Sequence, residues 1–243
     1  MFVLNADRLL NGNNHIWGFK MSSVHISHLN GKLEKFRAIS VNTLSNKFCQ
    51  KMHNVKPEKE IICSDCYSWA LLQGFRKNVA VALQRNSDLL SSRVLAQKEL
   101  PRIHDKEFRF NAHGELINET HLQNLINIAQ WNSQTMFSLW SKRKALIKNY
   151  FHCWIESGDY INGRRGWENA RKKPSNLILI YSNPIKDTIQ TKPPAWFNKV
   201  FNNVYADNFV DQQNCTGQKC KDCLLCYQKN TTNVIVEKVK NYG

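Results

Sequence analysis

From residue 107 to residue 184 the chain alternates between short apolar runs of strand length and amphipathic stretches of helix length, and this alternation restricts the fold more than any other feature. The run EFRFNAHGEL reads as a strand that ends in residues 111–115. NETHLQNLINIAQW follows as a helix with Leu122, Leu125, Ile126 and Ala129 on one face and Asn118 or Thr120 as its cap. TMFSLWSK is then a strand, RKALIKNYFHCWI a helix, and NLILIYSNP a buried strand stopped by Asn183 and Pro184. Strands joined by single helices imply right-handed βαβ units and therefore a parallel sheet. The expected class is α/β, built as a partial (β/α) barrel or an open, mostly parallel sheet.

The flanks add to this core. Val24 and Ile26, then Ile39 and Val41, alternate on either side of Asn30-Gly31, a dipeptide favoured in type I′ turns, which predicts a β-hairpin over 22–41. Apolar residues at helical spacing through Val79, Leu83, Leu90 and Val94 predict a helix from Asn78 onward. TNVIVEKV reads as a closing strand. One domain over 1–243 accommodates all of this: the hairpin, a cysteine-bearing loop at 49–66, an α/β core at 67–210, and a cysteine-rich segment with a strand at 211–243. The basic stretch 157–175, rich in Gly and Asn, is expected to be a flexible insertion.

In sheets of this kind ligands bind at the carboxyl ends of the strands. That rule places Asn111, His113 and Glu115 on one rim with Ser138, Ser141 and Lys142, joined by Ser182 and Asn183. Asn111, His113, Glu115 and Ser138 are the expected cofactor-binding residues.

Seven of the eight cysteines fall into two groups. Cys220, Cys223 and Cys226 form an uninterrupted C-x2-C-x2-C with Cys215 upstream, a run closer to ferredoxin spacing than to the two separated pairs of a structural zinc site. Cys49, Cys63 and Cys66 form the second group. Three thiolates on a four-iron cluster leave one iron open, which is the starting point of radical chemistry on S-adenosylmethionine. One or two 4Fe-4S clusters are therefore expected. Zinc is the alternative, including a knuckle built from Cys63 and Cys66 with two partners from the carboxyl-terminal group. Cys153, in the apolar run FHCWI, reads as a buried small residue. His53 and His152 read as solvated or hydrogen-bonded histidines outside the site.

Lys and Arg number 34 against 19 Asp and Glu, a formal charge of +15 that favours an anionic partner such as nucleic acid or nucleotide. Lys142, Arg143, Arg164, Arg165, Arg171, Lys172 and Lys173, with Trp167 among them, could follow a phosphate backbone and stack a base. No stretch approaches the roughly 20 apolar residues of a membrane span. The first residues lack the basic and apolar regions of a secretory signal, which implies a cytoplasmic protein, or host-cytoplasmic if phage-encoded. Neither G-x-S-x-G nor G-x-x-x-x-G-K-[ST] occurs, so hydrolase and kinase classes gain no support.

The order Cys49, then CSDCYSWALLQGFRKNVAVALQRN, FRFNAHGEL, FSLWSK and a late CKDCLLCY resembles the phage gene-product-eighty-eight family, whose members look like short, divergent radical S-adenosylmethionine enzymes. The resemblance covers roughly residues 24–227. It implies that residues 112–115 stand where radical enzymes carry a Gly-Gly-Glu step, so that Glu115 would meet the methionine ammonium. Two departures stand out. Thirteen positions separate Cys49 from Cys63 where radical enzymes have a compact C-x3-C-x2-C, and His113 occupies a position where relatives are smaller. Two functions follow as expectations: an iron-sulfur enzyme of radical type acting on an anionic substrate, or a non-catalytic, cluster- or zinc-stabilised protein that binds nucleic acid or a host protein of nucleic-acid metabolism.

Overall fold

The computed structural model describes residues 23–55, 60–74, 76–152, 154–161, 164–169 and 171–239, with the backbone alone over 154–169. Cys153 lies outside the described residues.

Seven strands form one sheet in the order β1 (Ser27–His28), β2 (Arg37–Ile39), β3 (Glu107–Phe110), β4 (Met136–Ser141), β7 (Leu177–Ser182), β8 (Lys199–Val204) and β9 (Val234–Lys238). Every pairing is parallel except β1 with β2. The protein is thus an α/β fold with an open, mostly parallel sheet, an antiparallel pair near its amino end and a cysteine-rich carboxyl-terminal segment. Each new strand joins the same growing edge, so right-handed crossovers put their connecting helices on one face. There α4 (Glu119–Trp131) and α5 (Lys144–Phe151) bury Leu122, Leu125, Ile126, Ile147, Tyr150 and Phe151 against Phe108, Phe110, Phe137, Leu139, Leu177 and Leu179.

The pleat turns the intervening residues to the other face, where Ile178, Ile180, Phe201 and Ile235 form a second, smaller core. Helices α4 and α5 lie on the opposite face and do not cover this one. It is covered by the chain between β8 and β9, whose Cys215, Leu225 and Cys226 pack on the small core. That connection carries the short helix α6 (Cys220–Cys223) and replaces the regular crossover helix.

Three local expectations differ from the structure. The loop between β1 and β2 is not a type I′ turn: Gly31 has φ +63° but Asn30 is extended at φ −123°, and a 3-10 turn over Gly31–Leu33 closes through Leu29 N to Phe36 O at 2.9 Å. Helix α5 ends at Phe151, and Trp154–Ile161 (β5) instead pairs antiparallel with Arg164–Asn169 (β6). Much of the stretch expected as a flexible insertion therefore belongs to a two-stranded ribbon outside the main sheet. Helix α3 (Lys77–Ser92) buries Leu83 and Leu90 as its period requires, but it stops before Val94, which is 53% exposed.

Candidate metal centre

A cavity of about 460 Å³ opens at the carboxyl ends of the parallel strands, and Cys49, Cys63, Cys66, Cys215, Cys220, Cys223 and Cys226 all line it. All seven thiols are free and half-buried. Different elements deliver the two groups.

Cys49 lies in the first turn of α1 (Lys47–His53). Asn46 caps that helix, accepting from Phe48 N at 3.0 Å and Cys49 N at 3.2 Å, while its amide donates to the Glu115 carbonyl at 2.8 Å. One buried asparagine thereby ties the Cys49 helix to the rim residue Glu115. Cys63 sits in a turn held from two sides. Ile62 N donates to Pro184 O at 2.8 Å, just past the end of β7, and the Cys63 carbonyl lies 3.0 Å from the Nδ1 of His53, whose ring stacks on Trp69. Cys66 caps α2 (Tyr67–Gln73), and Tyr67 OH donates to the Ala112 carbonyl at 2.5 Å. His53 is thus a hydrogen-bonded wall residue that supports the Cys63 turn.

The second group depends on β9. Cys215 bridges in parallel to Glu237, and its N–H donates to Val236 O at 3.0 Å. Lys32 reaches across from the β1–β2 loop to Cys215 Sγ at 3.1 Å and Glu237 Oε1 at 2.5 Å. α6 carries Cys220 and Cys223 and ends at Leu224 in the left-handed conformation, φ +52°, which turns the chain back toward Cys226. Tyr227 stacks on Phe36 with ring centroids 5.2 Å apart and closes the segment over the sheet.

Electrostatics keeps the groups distinct. Cys49, Cys63 and Cys66 act on one another and share Glu115 and Lys142 as charged neighbours. Cys215, Cys220, Cys223 and Cys226 act on one another and on Lys32 and Arg109. Burial raises Cys49, Cys63, Cys215 and Cys220 above the ordinary thiol range and pushes Cys226 up to about 12. Burial pulls the Lys142 ammonium down, yet the surrounding Cys63, Glu115, Cys66 and Cys49 outweigh that effect and raise it. Buried thiols held protonated in clusters are poor isolated groups, whereas a bound metal converts such a thiol to its thiolate outright. Among the described residues, no three His, Cys, Asp or Glu side chains form a ligand set for a single metal ion.

The rim residues also converge. Asn111 has φ +58° and opens a loop in which His113 N donates to Ser40 Oγ, Gly114 N to Thr43 Oγ1, and Ser68 Oγ meets His113 Nδ1 at 2.8 Å. Burial, with Arg109 and Arg76 nearby, lowers His113 to about 4, so the ring is neutral near pH 7. Glu115, 4% exposed, accepts from Leu116 N at 2.8 Å and Lys142 N at 2.7 Å. Ser138, the fourth expected cofactor-binding residue, is fully buried in β4 and is not among the residues that line the cavity.

Among the described residues, members of the basic set have separate partners. Lys142 belongs to the cavity wall. Arg143 donates to the carbonyls of Leu116 and Ile117 at 2.9 and 2.6 Å. Arg171 pairs with Glu119 at 2.9 Å, Lys172 is exposed, and Lys173 donates to Asn198 Oδ1 at 2.6 Å. Arg164, Arg165 and Trp167 lie on β6, with side chains outside the described residues. Sequence reasoning missed Lys32, Arg109, Trp140 and Tyr227, which all line the cavity. For Arg109 a signal existed: strand alternation puts it on the same face as Asn111.

The chain matches no protein-family model, no curated protein and no solved structure. Among the described residues no helix is long and apolar enough to cross a membrane.

Proposed function

We propose that the protein is an iron-sulfur enzyme of radical type that acts on a small anionic molecule inside the cavity. The observation that carries this reading is the meeting of both cysteine groups in one cavity at the carboxyl ends of a parallel sheet. Cys49, Cys63 and Cys66 would hold an open four-iron cluster, and Cys215, Cys220, Cys223 and Cys226 an auxiliary one. The donor set is compatible with such a centre: Cys49, Cys63 and Cys66 line one cavity, Cys49 and Cys63 are held as thiols by burial, and the neighbouring Lys142 ammonium would offset thiolate charge once a metal centre is bound. The open cluster, when bound, supplies low-potential electrons and a vacant iron position for S-adenosylmethionine.

The chain's own residues do the rest. Glu115 keeps lone pairs beyond its two backbone N–H bonds and can accept from an ammonium. Lys142 balances the negative charge of ionised Cys49, Cys63 and Cys66. Neutral His113 presents a polar edge without adding a cation. A cavity of this size falls in the range of roughly 300–1,000 Å³ used by small-molecule sites, so a folded nucleic acid would not enter it.

The test is iron and acid-labile sulfide content of anaerobically purified protein, followed by S-adenosylmethionine and a reductant with assay for 5′-deoxyadenosine. Iron with matching sulfide and cofactor cleavage is the expected result. Stoichiometric zinc without sulfide overturns the reading and favours the zinc-stabilised binding protein.

A further inference from the structure

The cavity lining includes side chains with polar groups that the protein leaves unsatisfied. Arg109 Nε, both ends of the Asn111 amide, and Trp140 Nε1 are buried without a hydrogen-bond partner. Asn111 is 5% exposed and lines the cavity with Arg109 and Trp140. Parallel register sets Arg109 opposite Ser138 and Phe110 opposite Leu139, so Asn111 and Trp140 follow as neighbours on the same face. The Arg109 guanidinium lies over the Trp140 ring, 4.4 Å from its centroid. The Ser138 and Tyr227 hydroxyls stand near this row and act on one another, Tyr227 with its ionisation pushed up by burial.

Buried polar atoms left unpaired keep their full desolvation cost, so a row of them on one cavity wall asks for an external partner. Charge asks for the same. Among the described residues no salt bridge reaches Arg109, and the nearby carboxylates are committed elsewhere. Glu107 pairs with Lys221 at 2.6 Å, Glu237 with Lys32 at 2.5 Å, and Glu115 accepts two backbone N–H groups.

We propose that Arg109, Asn111 and Trp140 form a substrate subsite for an oxyanion, carboxylate or phosphate, carried by a small molecule with an adjacent amide-like group. Arg109 and Trp140 donate to the anionic oxygens. Asn111, needing both a donor and an acceptor, reads the adjacent group. This rests on reading the cavity as the active site and adds the class of substrate it accepts.

The experiment measures thermal unfolding with inorganic phosphate, succinate and uncharged succinamide, using wild type, Arg109→Gln and Trp140→Phe, with iron and sulfide assayed in each sample. A ligand that binds only the folded state raises the midpoint by mass action. The expected result is a rise with phosphate or succinate but not succinamide. Whichever anion gives the larger shift identifies the headgroup. Arg109→Gln is expected to weaken binding at least tenfold while keeping its iron, and Trp140→Phe several-fold. Equal binding by wild type and Arg109→Gln overturns the proposal, as does absence of any anion-dependent shift. Loss of iron from Arg109→Gln also overturns it, because the arginine would then serve the metal centre. If Arg109→Gln does not fold, unchanged anion binding by Trp140→Phe overturns the proposal in its place. Anion binding by wild-type protein that holds no iron supports this subsite while refuting the iron-sulfur reading.

Discussion

Two single residues show how closely the molecule is built, Gly114 at the rim and His121 in α4. Gly114 adopts φ +76°, and a Cβ placed there would lie 2.4 Å from the Val41 carbonyl oxygen. Backbone on one side and a left-handed conformation on the other leave no route for relaxation. Gly114→Ala should therefore destabilise the fold by about 1–3 kcal/mol and displace the neighbouring Glu115, measured by urea unfolding and by retention of iron. His121 makes a different prediction. It is fully buried in α4, its Nδ1 accepts from Ile117 N at 3.2 Å, and burial lowers it from 6.5 to about 3. Its folded value lies below its unfolded one, so the unfolded chain takes up the proton first. Stability is whole above pH 6.5 and falls as pH drops from there toward 3, with a limiting slope of about 1.4 kcal/mol per pH unit from this group. His121→Asn, which keeps an acceptor near Ile117 N, should flatten the acid limb of a stability-pH curve. An unchanged limb would assign the acid loss to other groups.

At the scale of elements, buried asparagines join helices to strands. Asn176, 8% exposed, donates to the carbonyls of Ala129 and Thr135 at 2.9 Å and of Asn132 at 3.2 Å, which ends α4, shapes the turn into β4 and fixes the start of β7 in one contact. Asn124 and Asn132 hold the loop before β3 by accepting from Leu95 N and Ile103 N, both at 2.8 Å. Asn176→Ala should cost about 2–3 kcal/mol, because buried carbonyls lose a shared donor. Removal of the α4 cap by Asn118→Ala should cost only about 1 kcal/mol. Thermal unfolding of the two variants side by side checks the order. The parallel core was legible in the sequence because Phe108, Phe137 and Leu179, and Leu122 and Leu125, follow periods of two and 3.6. These asparagines were not, since a polar residue reads as surface or turn unless its partners are known. Arg109 escaped for a related reason: in EFRF it reads as the solvent face of a strand, but a segment more than a hundred residues later in the chain covers that face. The C-x2-C-x2-C run and the Cys63-Cys66 pair were legible from spacing, while the meeting of these cysteines with Cys49 in one cavity depended on strand order that no local pattern encodes.

For the whole molecule, the two cysteine groups bear unequal structural weight. The amino-terminal group sits on α1, the following turn and the cap of α2, all of which have hydrogen bonds independent of sulfur. The carboxyl-terminal group lies in the connection from β8 to β9, where Cys215 and Cys226 themselves pack on Ile178, Ile180, Phe201 and Ile235. A centre held there would fasten the cover of the second sheet face, and its loss would expose that apolar surface. Replacing Cys49, Cys63 and Cys66 together by serine should remove about half the iron and all cofactor cleavage, with a small fall in the unfolding midpoint, if the two centres are of one cluster type. Replacing Cys215, Cys220, Cys223 and Cys226 should also remove about half the iron but lower the midpoint more, because the binding energy of a metal held there would add to folding energy. The separation of the two groups' charged neighbours argues that each loss is independent. Iron content and unfolding midpoints of both variants decide the matter, and complete loss of iron from either one would mean a single shared centre.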